Sequence, residues 1–298
     1  MLSHDPVRWQ RLGERLIGLA LQALLLALSL ASVLPLLLVI SASLSSEAAL
    51  ARYGYTLLPR ELSLVGYQYI FQNVQQILRS YGVTLLVTVG GTLLSLLVTA
   101  LLAYTLSRRD FALRRPLAAY LFFTLLFSGG LVPSYILITQ YLQLRNNLLV
   151  LILPYLVGPF NVLILRTYFA ALPEDLLDAA RVDGAGEWRI FFQIVLPLST
   201  PALATISLFI ALAYWNDWWL ALLYITDQRL MPIQLLLYNL LTNFTVISDN
   251  PLAEQLVKPP LLPIRMGMVV LTVLPVALLF IFVQRHFVRG LTIGSLRG

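Results

Sequence analysis

The chain has 298 residues, of which 59% are hydrophobic and 11% charged, far below the roughly one-quarter charged share of soluble domains. Its mean hydropathy of +0.84 and net charge of +6 describe a lipid-embedded polymer whose basic residues set orientation and do not bind nucleic acid. Cysteine is absent, which excludes disulfides, zinc thiolates, iron–sulfur clusters and thiol nucleophiles.

A hydrocarbon core about 30 Å thick needs roughly 20 helical residues. Six apolar stretches meet that need, near 17–41, 83–107, 117–139, 148–170, 201–225 and 267–284. The basic segment 1–16 before the first, and Ser41-Ala42-Ser43 after it, imitate a secretory signal. The apolar run is about 24 residues, too long for the hydrophobic region of one. Residues 17–298 therefore read as a single membrane domain, all-α, with six spans.

Six spans put both chain ends on one side. That side holds Arg8, Arg11, Arg15, Arg108, Arg109, Arg114, Arg115, Arg166, Arg181, Arg189, Arg285, Arg289 and Arg297. The other holds Arg52, Arg60, Arg79, Arg145, Arg229, Lys258 and Arg265. The excess predicts both termini in the cytoplasm, with external loops at 42–82 and 226–266 and a cytoplasmic stretch at 171–200.

Helix breakers interrupt several spans: Gly129, Gly130 and Pro133 in the third, Pro154, Gly158 and Pro159 in the fourth, and Pro275 in the sixth. Broken helices in lipid mark either a watery pathway or close packing through small residues, and the residues alone leave both readings open.

The stretch 172–197 reads LPEDLLDAARVDGAGEWRIFFQIVLP. Pro173 suits a first helical position, and Glu174 and Asp175 complement the positive end of the helix dipole. Leu176, Ala179, Ala180 and Asp183 fall on one face, and Gly184 with Gly186 is expected to end the helix in left-handed geometry. A second helix would carry Trp188, Phe191, Phe192 and Val195 and stop at Pro197. Two short helices make a knuckle, and its small alanines let a partner's surface come close.

Asp178, Ala179, Ala180, Gly184, Ile194, Leu196 and Pro197 match in every spacing the cytoplasmic signature of ABC importer permeases, which this chain resembles. Asp178 stands where that family usually carries Glu, which shortens the reach of any ion pair to an ATPase. The resemblance runs along nearly the whole chain. Leu58-Pro59-Arg60-Glu61-Leu62-Ser63 with Tyr67 and Tyr69-Ile70-Phe71 looks like the first external loop of carbohydrate permeases. Residues 127–135 (FSGGLVPSY), Trp215-Asn216-Asp217-Trp218 and the tail 284–294 (QRHFVRGLTIG) are similar to the branch that moves oligosaccharides, including uronate-containing ones.

The resemblance implies a type I importer permease fold in a bacterial inner membrane. It also implies a second homologous permease subunit, two ABC ATPase subunits, an extracytoplasmic solute-binding protein and a carbohydrate substrate. ATPase docking falls to Asp178, Ala179, Ala180, Asp183, Gly184 and Ala185. ATP and Mg would sit on the ATPase partners, with no cofactor on this chain. The residues agree: the one lysine, Lys258, precedes Pro259 and makes no phosphate-cradling GxxxxGK[ST] loop. The two histidines, His4 and His286, lie too far apart in sequence to read as a metal-ligand or triad motif. The expectation is a transport subunit, not an enzyme.

Tyr214-Trp215-Asn216-Asp217-Trp218-Trp219 places a carboxylate among aromatics inside a span, where an ionisable residue is costly. Aromatic faces pack on sugar rings, and Asn216 and Asp217 offer hydrogen bonds to hydroxyls. Counted from Pro201, Asp217 lies about 24 Å from the cytoplasmic end, a depth that equally fits an outer aromatic belt. A carboxylate also sits poorly beside a uronate. A non-sugar solute such as a peptide, amino acid or polyamine fits the same architecture. An ATPase-independent secondary transporter fits less well, because no halves repeat.

Overall fold

The computed structural model describes residues 6–248 and 259–295, with side chains at 16–242 and 259–280. Helices dominate, and no strand occurs among the described residues. Lys258 and Arg297 lie outside them, as do the side chains of Arg8, Arg11, Arg15, Arg285 and Arg289 and those of the tail 284–294.

Two compact units are present. The first takes residues 1–72 and 243–273 and opens with α1 (Pro6–Ser43), which carries Pro35 without breaking. Next come α2 (Glu47–Tyr53) and α3 (Val65–Gln72), so the predicted loop 42–82 contains two helices. Ser46 caps α2 by accepting from Ala49 N–H at 3.0 Å. The Tyr67 hydroxyl donates to Ser43 at 3.0 Å. Glu47 accepts from Leu262 N–H at 2.9 Å. Burial pushes the Glu47 carboxyl up, and that N–H and Arg265 offset part of the rise.

The second unit takes residues 73–242 and 274–298. Its centre is α4 (Val74–Ser107), which packs along two later helices. Small side chains make this possible: Ser80, Thr84, Gly91, Ser95, Thr99 and Ala103 are buried on one stripe of α4, and small residues let helix backbones approach in lipid. After α4 come α5 (Arg114–Leu126), α6 (Leu131–Ile136) with a π turn at Leu137–Tyr141, and two 3-10 turns at Leu148–Leu151 and Leu153–Tyr155. They are followed by α7 (Pro159–Ala170), α8 (Glu174–Val182), α9 (Glu187–Ile190), α10 (Leu196–Leu198), α11 (Thr200–Trp215), α12 (Trp219–Tyr224) and α13 (Ile233–Ser248). The last helix, α14 (Leu261–Ser295), begins in the first unit and ends in the second.

Among the described residues, four helices are long and apolar enough to cross a membrane: Leu16–Ser43, Val74–Ser107, Thr200–Tyr224 and Leu261–Phe280. Two bent pairs complete six if each is one span, Arg114–Leu126 with Leu131–Tyr141 at 110° and Leu148–Tyr155 with Pro159–Ala170 at 50°. The third and fourth expected spans are therefore broken where their Gly and Pro residues stand. Pro275, by contrast, sits inside α14 without ending it. The fifth is also interrupted, between α11 and α12, and the expected loop 226–266 contains the apolar helix α13. Helix α13 escaped the sequence reading because its apolar run is too short to span.

Candidate functional site

The knuckle is built from α8, α9 and the π turn Phe191–Val195. Helix α8 begins at Glu174, with Pro173 one position earlier as its cap. Its end is a Schellman motif: Gly184 N–H donates to Arg181 O at 2.9 Å and Ala185 N–H to Ala180 O at 2.9 Å. Gly184 takes φ +77°, a left-handed angle that costs a residue with a Cβ. Gly186 does not share this role. Its φ of −73° and ψ of 163° are extended, because the Schellman turn needs one left-handed residue only.

Pro197 does not stop the second segment. Helical backbone continues through Leu198, because the π turn, in which Leu196 N–H reaches Phe191 O, shifts the register ahead of a residue that has no N–H to give. The chain turns instead at Ser199, with φ −100° and ψ 11°.

Burial divides the knuckle into two faces. Leu177, Ile190, Phe191 and Val195 insert into a cluster with Ala100, Ala103 and Tyr104 of α4 and Val162, Leu165 and Phe169 of α7. Ala180 and Ala185 pack against the same cluster, which completes the apolar contact of the Schellman motif. Outward lie Leu176, Asp178, Ala179, Val182, Asp183, Gly184 and Trp188, with Val182 88% and Trp188 67% exposed. Trp188 stacks on exposed Phe192 at 6.1 Å between ring centroids. Of the predicted docking residues, Asp178, Ala179, Asp183 and Gly184 share the outer face, and Ala180 and Ala185 turn inward.

Charged side chains tie the knuckle to the end of α4, and sequence reasoning missed most of them. Arg181 donates to Asp178 at 3.1 Å and to Glu187 at 2.9 Å. Glu187 in turn accepts the hydroxyl of Tyr104. Burial pushes the Glu187 carboxyl up, but the Tyr104 hydroxyl and the Arg181 guanidinium outweigh it and hold the group below its ordinary 4.5. Arg109 pairs with Glu174 at 3.1 Å, and Arg108 with Asp110 at 3.4 Å. The only signal for this network in the sequence was the clustering of Arg near 108–115 and acids near 174–187.

The fifth-span motif straddles the break between α11 and α12. Asp217 Oδ1 accepts from Tyr155 O–H at 3.1 Å and from Leu220 N–H at 3.3 Å, so the carboxylate serves the N-terminus of α12. Its partners lie within this chain. Trp215 is buried, Asn216 is exposed, and Trp218 is 37% exposed. Trp218 stacks face to face on Tyr238 at 4.5 Å and 14°, and Gln234 Nε2 lies 3.5 Å from Asn216 Oδ1. Tyr214 points the other way: its hydroxyl lies 2.8 Å from Ser95 Oγ and donates to Ile152 O at 2.9 Å. A Cβ on Gly91 would meet the Tyr214 ring at 2.7 Å.

The chain matches known proteins over most of its length. The profile of the binding-protein-dependent transport system inner membrane component family matches residues 111–293. The chain belongs to that family. It is 39% identical over 286 residues to the polygalacturonan/rhamnogalacturonan transport system permease protein YtcP of Bacillus subtilis, covering 96% of this chain and 99% of that one. It is 35% identical to the arabinooligosaccharides transport system permease protein AraQ of Halalkalibacterium halodurans, covering 90% and 92%. A solved bacterial ABC transporter involved in the import of the acidic polysaccharide alginate contains a chain that superposes with a TM-score of 0.81 at 27% identity, covering 92% of this chain and 98% of that one. The type I importer permease fold is therefore shared.

Proposed function

We propose that this chain is a permease subunit of an ABC importer for an oligosaccharide, docking a separate ATPase through its knuckle at 172–197. The observation that carries the docking half is the helix stop at Gly184, which leaves Ala179, Val182, Asp183 and Trp188 outward while Leu177 and Phe191 anchor the segment to α4 and α7. A surface of small and apolar groups on a rigid base suits a partner's cleft. Asp178 is engaged by Arg181, so shape and apolar contact carry the docking more than an ion pair from Asp178 to the ATPase does.

The substrate half follows the relatives, which are named for galacturonan, arabinooligosaccharide and alginate transport. An acidic sugar is compatible with Asp217, because that carboxylate is turned onto Tyr155 and the start of α12. Trp218 with Tyr238 offers the flat aromatic surface a pyranose ring packs on, and Asn216 stands exposed beside it. On this reading residues 17–298 form one membrane domain with both termini in the cytoplasm of a bacterial inner membrane. A second permease subunit, two ATPases holding ATP and Mg, and a solute-binding protein complete the importer, and this chain hydrolyses nothing.

The test is reconstitution of the chain with its neighbours' products. Binding protein loaded with an oligogalacturonide is expected to stimulate ATP hydrolysis, and Gly184→Trp to abolish the stimulation. Full stimulation in Gly184→Trp would refute the docking surface. Stimulation by a loaded peptide or amino-acid binding protein, with none by sugars, would move the substrate assignment.

A further inference from the structure

A pocket of about 340 Å³ lies beneath α8, between the C-terminal ends of α4 and α7 and the N-terminus of α5. Five arginines line it, Arg108, Arg109, Arg114, Arg166 and Arg181, against three carboxylates, Asp110, Glu174 and Asp178. Each carboxylate is paired: Asp110 with Arg108, Glu174 with Arg109, and Asp178 with Arg181, which also reaches Asp110 at 3.8 Å and Glu187 at 2.9 Å. Two of the five arginines pair with none of these acids. Arg166 gives its Nε to Leu106 O at 3.1 Å, and neither it nor Arg114 has a carboxylate within 4.0 Å among the described residues.

Both of these arginines are half-buried, where an unbalanced charge is costly. Arg114 and Arg115 also occupy the first turn of α5, which holds no acidic residue and whose cap position, Leu113, makes no side-chain hydrogen bond. Cations at a helix N-terminus oppose the dipole. An anion in the pocket would relieve both penalties.

Three span ends meet at the pocket, so it lies at the level of the membrane surface. Leu113, the cap residue of α5, and Leu117 and Tyr120 within it, 57%, 41% and 65% exposed, form an apolar stripe at helical spacing next to Arg114. A cationic cavity opening onto an exposed apolar helix face fits an amphipathic anion better than a free one. We propose that this pocket binds the phosphate of an anionic phospholipid headgroup, with Arg114 and Arg166 as its donors and the acyl chains lying along α5. Basic pockets between spans are established headgroup sites, and paired guanidinium donors suit phosphate oxygens. The ligand would brace the base of the knuckle through α8.

The proposal rests on the reading of the chain as a membrane permease, but binding involves no ATP hydrolysis and so stands or falls separately from ATPase coupling. The delipidated, assembled transporter is titrated with short-chain phosphatidylglycerol, with phosphatidylcholine of the same chain length, and with inorganic phosphate. Saturable binding of phosphatidylglycerol, at least about tenfold tighter than phosphatidylcholine, is expected. Arg114→Gln with Arg166→Gln should weaken it by about tenfold or more. The double variant should keep its thermal midpoint in detergent, which separates lost binding from a lost fold, and Arg166→Lys, which keeps the charge, should bind more tightly than Arg166→Gln. Three results would overturn the proposal: equal binding of the two lipids, undiminished phosphatidylglycerol binding in the double variant, or inorganic phosphate binding more tightly than the lipid.

Discussion

The knuckle and the break at Asn216–Trp218 both interrupt helical backbone with an acidic residue at hand, and they use the charge in opposite ways. At the knuckle the carboxylates of Asp178, Glu187 and Glu174 are engaged by arginines and a tyrosine, so the charges fasten one segment to another beside an outer face that carries Leu176, Ala179, Val182 and Trp188 together with Asp178 and Asp183. At the break Asp217 is taken up by the N–H of Leu220 and the hydroxyl of Tyr155, so the charge serves the backbone that the break itself frees. An acidic side chain in such a protein reveals its role by the donor it finds.

The largest expected effect separates the two regions by function. Gly184→Trp puts its Cβ where no atom lies within 4 Å, but the φ of +77° strains it by about 1–2 kcal/mol, so activity is compared at equal amounts of protein in the membrane. The variant's stimulated ATPase activity should fall to background, measured against wild type in proteoliposomes. The next effect is one of packing beside the break. Gly91→Val drives a methyl-bearing carbon into the Tyr214 ring, and overpacking of this kind costs about 1–3 kcal/mol. It should show as a clear drop in thermal midpoint in detergent, and an unchanged midpoint would mean that α4 and α11 are not so close.

Asp217 sharpens the contrast further. Asp217→Ala should lose about 1 kcal/mol as a helix cap, and Asp217→Asn should keep nearly all of it. If Asp217→Asn instead abolishes transport at full stability, the charge itself faces the substrate. Trp218→Ala, removing the aromatic surface, should raise the sugar concentration needed for half-maximal transport, and an unchanged value would assign Trp218 to packing alone.

The smallest effect concerns acidity. Glu187 is held below its ordinary 4.5, so its contribution is full above that value and is lost only as pH falls through the lower, folded one. Hydrogen exchange across Glu187–Val195 should therefore be pH-insensitive in protection from neutrality down to about 4.5. Below that, protection should decline, and Glu187→Gln should erase the dependence.

Much of the molecule was legible beforehand because lipid imposes length and apolarity. The six stretches, the breaks near Gly130 and Gly158, and the stop at Gly184 follow from rules local to a few residues. The split of the fifth stretch was not legible. Apart from Thr205 and Ser207, residues 201–225 are apolar on either side of Asn216-Asp217, and only the approach of Tyr155 to Asp217 settles where the carboxylate turns.

By itself, then, the sequence determined the membrane class, the number of apolar stretches and the chemical identity of the knuckle, since each depends on composition or on spacing along one chain. Tertiary structure alone decided which knuckle residues face outward, that Ala180 and Ala185 turn in against α4 and α7, and that Tyr104 reaches Glu187 across 83 residues. It also decided that Arg114 and Arg166 meet at one pocket with no carboxylate paired to either among the described residues. The reason is physical: burial and charge balance are properties of neighbours in space, and helices on either side of a turn choose those neighbours only when they pack.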